Sequence, residues 1–158
     1  MPEVSTEILE QLLALDLLTL RTHTEQAGDL FTIDTQRTSL INALAISELC
    51  YVERDTRIVA YALLRPYSDA CWFVCSFTTH PAFRSAPVLR HLFTQIAQIL
   101  AQHEVTQLCS HVYKTNRLSS AFHRKLGFVV TNENAKAWEF RCQTAALLQQ
   151  PSLQKCFV

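Results

Sequence analysis

Glycine is almost absent from this chain of 158 residues: only Gly28 and Gly127 occur. Loops that seat phosphate on closely approaching backbone need several glycines at fixed spacing, so the G-x-G-x-x-G and P-loop patterns are both excluded. Net charge is absent too. Lys plus Arg and Asp plus Glu number 14 each, which leaves no excess to cover a broad nucleic-acid face and allows at most a small local patch. Long apolar runs are lacking: nothing approaches the roughly 18–20 residues that span a bilayer. The Leu-rich stretch 12–20 is broken by Asp16 and Thr19, and it lacks the basic flank and small-residue cleavage site of a secretory leader. It reads as a helix packed on the domain. Six cysteines (Cys50, Cys71, Cys75, Cys109, Cys142 and Cys156) contain no C-x-x-C pair, and no His pair lies nearby at zinc-finger spacing. The expectation is no structural zinc, no disulfide, and reduced core thiols in a cytoplasmic protein.

What is present is a globular composition. Apolar residues make up 49% and charged residues 18%, which excludes disorder. A chain of this length buries roughly 68–70% of its unfolded surface as one domain, here spanning residues 1–158. Ile8, Leu9, Leu12, Leu13, Leu15 and Leu18 recur at helical spacing, so a first helix is expected over 5–21. Residues 23–28 read as a polar connection, and Asp34 as the cap of a second helix carrying Leu40, Ile41, Leu44 and Ala45. Two β-rich runs, 50–53 and 57–65, flank Arg54-Asp55-Thr56 as a hairpin, and Pro66-Tyr67-Ser68-Asp69 makes the next turn. Residues 70–79 place Phe73, Cys75 and Phe77 on one face and Trp72 and Val74 on the other, the mark of a central strand.

The clearest helix covers 86–102, with Val88, Leu89, Leu92, Phe93, Ile96, Ile99 and Leu100 as its stripe. A strand over 106–113 alternates Cys109, His111 and Tyr113 against Leu108 and Val112. A short helix over 116–125 is stopped by Gly127. Residues 128–130 and 137–142 form a last hairpin around Asn132-Glu133-Asn134, and the tail 143–158 reads as a short surface helix. The order predicts an α+β fold: a mixed, mostly antiparallel central sheet with helices on both faces.

Two blocks carry a family resemblance. The first is Thr79-His80-Pro81-Ala82-Phe83-Arg84-Ser85-Ala86-Pro87-Val88-Leu89-Arg90-His91-Leu92-Phe93; the second is Asn116-Arg117-Leu118-Ser119-Ser120-Ala121-Phe122-His123-Arg124-Lys125-Leu126-Gly127-Phe128. They resemble the V-H-P-x-x-R phrase and the N-x-x-A-x-x-L-Y-x-K-L-G-F phrase of the GCN5-related N-acetyltransferases, in the same order. With the 50–78 strands the similarity spans residues 50–142, while residues 1–48 match no named pattern.

The resemblance implies an acyltransferase that moves an acetyl or other acyl group from acetyl-CoA, or another acyl-CoA, to an amine on a small molecule or protein. Nucleic acid and membrane are not implied as partners, and a dimer is compatible. In the family, an R-x-x-G-x-G/A loop and the following helix N-terminus hold the coenzyme A pyrophosphate. Here the two glycine positions are Pro87 and Leu89; proline has no N–H to donate, and leucine adds bulk. The implied donor-binding residues are Arg84, Ser85, Val88 and Asn116. The family's proton-donating Tyr falls on His123, and His111 and Tyr113 project from the strand beside the expected slot as further acid–base candidates. The altered loop keeps two other readings open: a donor such as acyl carrier protein or aminoacyl-tRNA, or a catalytically inactive module that binds a partner or senses coenzyme A.

Overall fold

A single six-stranded sheet runs β1 (Glu48–Arg54), β2 (Arg57–Ser68), β3 (Cys71–Thr79), β4 (Gln107–Tyr113), β6 (Ala137–Gln143) and β5 (Val129–Glu133) in spatial order. The computed structural model describes residues 3–149. Every neighbouring pair is antiparallel except β3 and β4. β3 is therefore interior, as its two apolar faces require, and the mixed, mostly antiparallel sheet agrees with the sequence.

Helices cover both faces. On one, α4 (Ala86–Gln102) and α5 (Arg117–Lys125) close a core in which Leu92 and Ile96 meet Ala60, Ala62, Leu64, Leu108 and Phe140. On the other, α1 (Thr6–Thr19) and α3 (Ile33–Ile46) lay Leu12, Leu13, Leu40 and Leu44 on Ile58, Tyr61 and Leu63. The alternation along β2 thus feeds two cores from one strand. α6 (Thr144–Leu148) is the short surface helix expected there: Ala145, Ala146 and Leu148 are exposed, while Leu147 seals the end of the first core. The rest of the expected tail, including Cys156, lies outside the described residues.

The differences from the sequence reading have local causes. The polar stretch after α1 holds a one-and-a-half-turn helix, α2 (Arg21–Gln26). Its composition is polar because it lies on the rim, and it turns off at Gly28, where φ is +89°. α3 is capped by Thr32, whose Oγ1 accepts from the Thr35 N–H at 3.1 Å. Asp34 sits inside the first turn, where a carboxylate still suits the helix dipole. Pro66 does not end β2; it pairs with Trp72 beside a bulge, and the strand continues to Ser68. β5 likewise runs on through Asn132 and Glu133, so the last turn lies at residues 134–136. With so little glycine, other residues occupy left-handed turns: Asp55 (φ 53°) and Thr56 (φ 64°) link β1 to β2, Ala70 (φ 53°) links β2 to β3, and Glu104 (φ 50°) follows α4.

Candidate functional site

The sheet opens between β3 and β4. Their parallel pairing covers only Cys71–Val74 against Gln107–Ser110. Beyond it, β3 stays with β2 as far as Thr79, while β4 stays with β6 as far as Tyr113. A bulge marks the parting point: Leu63 pairs with Ser76 and Leu64 with Val74, so Cys75 is the extra residue. The bulge reverses which residues of β3 face α4, so Trp72 and Val74 do so before it and Phe77 after it. Peptide groups of β3 that point away from β2 past Val74 open into the gap instead of a ladder. Residues 73–77 are accordingly only half-buried although their strand is interior.

Two cavities meet in this gap. The larger, about 460 Å³, lies toward α2, the loop after it and α3, and is lined by Asp29, Phe31, Gln36, Cys75, Ser76, Ser110, His111, Tyr113 and His123 among others. The smaller, about 260 Å³, lies toward α4 and α5 and is lined by Thr79, Arg84, Leu89, Leu118 and Phe122. Leu20, His23, Phe77, Thr78, Asn116 and Ser119 line both.

The N-terminus of α4 borders the smaller cavity. Leu89 N–H closes the first helical turn on the Ser85 carbonyl at 3.0 Å. Pro87 has no N–H, so Ala86 and Val88 supply the helix's unclaimed donors there. The Val88 side chain is in the core, which leaves only its backbone N–H for binding. Ser85 is the N-cap residue, yet its hydroxyl makes no capping bond, and it lines neither cavity. Arg84 lies on the wall with its Nε donating to Thr79 Oγ1 at 3.1 Å, which leaves the terminal amino groups of the fork available. Leu89, at a glycine position of the family phrase, is part of the same wall.

The β4–α5 residues divide by strand face. His123 is buried although its helix is largely charged and polar. Its Nδ1 lies 2.7 Å from the Ser119 carbonyl and its Nε2 lies 3.1 Å from Ser110 Oγ. A carbonyl can only accept, so Nδ1 carries the proton and Nε2 accepts from the Ser110 hydroxyl. The ring stacks on Phe140, and burial pushes its pKa below the ordinary histidine value. Asn116 caps α5, its Oδ1 accepting from Ser119 N–H at 3.1 Å. Tyr113 donates to Asp29 at 2.6 Å, and burial together with that carboxylate pushes its hydroxyl up to about 12. This makes Tyr113 an anchor for the α2–α3 loop. His111 is exposed on the same side, 3.5 Å from Glu139 and edge-on to Phe73.

The N-terminal residues were missed by sequence reasoning, although they build much of the larger cavity. Asp29 is bonded by Lys136 and by Tyr113, and both hold its carboxyl below the usual range. Behind it, fully buried Asp16 accepts from the Tyr61 hydroxyl and from Gln36 Nε2 at 2.9 Å. Burial raises the Asp16 carboxyl to about 6 in spite of these bonds. The one signal was Asp16 itself, an acid interrupting a leucine run.

Five described cysteines are free, four of them buried. Three potential ligand atoms, from Cys109, His111 and Glu139, do converge within 4.8 Å across β4 and β6. Cross-strand pairing assembles that group, which sequence spacing does not reveal. Burial pushes the Cys109 thiol up to about 11, and Arg141 already bonds Glu139 at 3.1 Å.

Compared with known proteins, the chain has the fold of several solved acetyltransferases. The PaiA N-acetyltransferase of Thermoplasma acidophilum, solved in complex with coenzyme A, superposes with a TM-score of 0.71 at 13% identity, over 90% of this chain and 96% of that one. An aminoglycoside 6′-acetyltransferase type Ii gives 0.68 at 14% identity over 90% and 95%. A ribosomal-protein-alanine N-acetyltransferase from Brucella melitensis gives 0.61 at 18% over 90% and 98%. No curated protein sequence matches the chain significantly. Among the described residues, no helix is long and apolar enough to cross a membrane. The family model for the acetyltransferase (GNAT) family matches residues 14–128, most of the chain, and the protein belongs to that family.

Proposed function

We propose that the protein is an N-acyltransferase that takes an acetyl group from acetyl-CoA, or a related acyl-CoA, and passes it to an amine. The observation that carries this reading is the passage through the sheet: two cavities of about 260 and 460 Å³ that join where β3 and β4 part. The smaller suits the donor. Phe77, Leu89, Leu118 and Phe122 give it apolar walls for an acyl-thioester arm, and Asn116, Thr79 and Ser119 give polar points for the amides along it. Arg84 and the N–H groups of Ala86 and Val88 stand where a pyrophosphate would end, although Pro87 makes that cradle poorer by one donor.

The larger cavity suits the acceptor. Asp29, held by Lys136 and Tyr113, and Gln36, Thr35 and Ser76 give it a polar wall that can bond an acceptor. At the join, the unladdered β3 peptide groups beside the Cys75 bulge are placed to polarise the thioester carbonyl. Ser110 presents its hydroxyl from β4, oriented by His123, so His123 is read as a positioning residue behind that hydroxyl. Tyr113 and His111 frame the acceptor side.

Calorimetric titration with acetyl-CoA tests the donor assignment. Wild type should bind, and Arg84→Ala should weaken binding about ten- to a hundredfold or slightly more, as a charge-assisted contact of roughly 1.5–3 kcal/mol requires. Tight binding indifferent to Arg84→Ala would move the phosphates elsewhere. No binding at all would favour another acyl donor or a non-catalytic module, which the Pro87 and Leu89 substitutions also fit.

A further inference from the structure

Among the described residues, one buried side-chain polar atom has no hydrogen-bond partner: Nδ1 of His23. Buried ring nitrogens are normally satisfied, so an orphan needs a reason. The ring lines both cavities and stands at the passage joining them. Its backbone is fixed there, because the His23 carbonyl accepts from Thr115 Oγ1 at 2.8 Å and from Ala27 N–H at 3.1 Å, tying α2 to the loop between β4 and α5.

We propose that His23 is the catalytic general base of the acyl transfer, an assignment that rests on the function proposed above. The acceptor nitrogen attacks the thioester carbonyl carbon. The N–C bond forms, the C–S bond breaks, and the electron pair leaves on sulfur. The proton shed by the attacking nitrogen passes to the His23 imidazole, the half-buried ring that lines both cavities. A thiolate of ordinary pKa, about 8.5, is a competent leaving group and takes its proton from solvent. Other candidates are committed elsewhere: Tyr113 donates to Asp29, His111 sits beside Glu139, and His123 is engaged at both nitrogens. Imidazole is also the side chain whose ordinary pKa suits a base near neutral pH.

The groups that would tune His23 are Asp29, His111, Tyr113 and His123 across the larger cavity, Arg84 across the smaller, and the exposed Arg21–Glu25 pair on its own helix. The neutral ring is the active form, so kcat/KM should fall on the acid side of the pH profile.

The experiment compares wild type, His23→Gln and His23→Ala in thiol release from acetyl-CoA. The probes are spermidine, kanamycin and a peptide with N-terminal alanine. Slow hydrolysis serves where none of these accepts, since the same base would take the proton from water. The expected result is a rate loss of about 10²–10⁴ in both variants, with acetyl-CoA affinity kept within about threefold. The acid limb of the pH profile should disappear, and added imidazole should restore part of the rate to His23→Ala. Wild-type rates in His23→Gln, or a loss that leaves the acid limb in place and ignores imidazole, overturn the assignment while leaving the acyltransferase reading intact. A wild-type protein that neither binds acetyl-CoA nor releases thiol overturns both.

Discussion

The two faces of the sheet are built on different principles. The α4/α5 face is a continuous apolar core, from Leu92 and Ile96 through Ala62 and Leu108 to Phe140 and Leu147. The α1/α3 face has a smaller apolar core, and a buried polar cluster lies within it: Asp16, Tyr61 and Gln36. The first face carries the smaller cavity, proposed for the donor, and the second most of the larger, proposed for the acceptor. A donor shared across a family can be met by one fixed arrangement. An acceptor specific to one member needs polar groups placed for it, and those come from a layer whose sequence follows no family phrase.

If each face is an independent core, matched truncations should separate them. Leu12 and Leu92 are both fully buried, one on each face. Leu12→Ala and Leu92→Ala should each cost about 2–5 kcal/mol in denaturant unfolding. Below the unfolding transition, however, only Leu92→Ala should shift acetyl-CoA affinity, because α4 borders the cavity proposed for the donor. Equal shifts in affinity from both variants would show that the faces are coupled and that the division into donor and acceptor layers is wrong.

The polar cluster gives the second face a pH response of its own. The folded Asp16 carboxyl titrates at about 6 against an ordinary 3.8. The raised value means that its contribution to stability is full below pH 3.8 and is lost as pH rises through about 6. The full gap corresponds to about 3 kcal/mol, of which about 2 kcal/mol falls between pH 4 and pH 7, since the unfolded carboxyl is already more than half ionised at pH 4. Asp16→Asn keeps an acceptor for the Tyr61 hydroxyl and removes the titration. Measured by urea unfolding, Asp16→Asn should gain on wild type by up to about 2 kcal/mol as pH rises from 4 to 7. A stability difference that stays constant over this window would mean that Asp16 remains at its ordinary pKa.

Legibility in the sequence followed the same division. The α4 stripe, the interior position of β3 and the Gly127 stop (φ 95°) were readable, because periodicity and backbone geometry constrain them directly, but the bulge at Cys75, which moves Phe77 to the face of Trp72 and Val74, was not. Arg84 and Asn116, the residues singled out by the family phrase, line the smaller cavity. His23, Asp29 and Gln36 were not readable as site residues. They lie in a polar stretch and in α3, and only the packing of α1, α2 and α3 over the open end of the sheet gives them a common cavity. Ser110 was hidden for another reason: a serine within an apolar strand has no distinguishing pattern until His123 is seen across from it. The parting of β3 from β4 was implied by family resemblance alone, since strand sequences do not record where pairing ends.

Leu89 offers the finest test of the division, because it belongs to the donor face and stands at a glycine position of the family phrase. Its side chain packs on the edge of the α4/α5 core while lining the smaller cavity. Leu89→Gly therefore acts in opposite directions on two measurable quantities. Removing a partly buried leucine and placing glycine in the first turn of α4 costs backbone entropy of about 0.5–1 kcal/mol and some packing besides. The same change lets a phosphate approach the helix N-terminus more closely, where Val88 N–H is already unclaimed. The expected outcome is a lower unfolding midpoint together with acetyl-CoA affinity up to about tenfold tighter, a gain of about 1.4 kcal/mol. Pro87→Gly, which adds an N–H as well, should move affinity the same way, and neither change should alter the pH response set by Asp16 on the opposite face. If both variants fold and neither tightens binding, the α4 N-terminus is not where the donor's phosphates rest, and Arg84 alone would have to account for whatever affinity wild type shows.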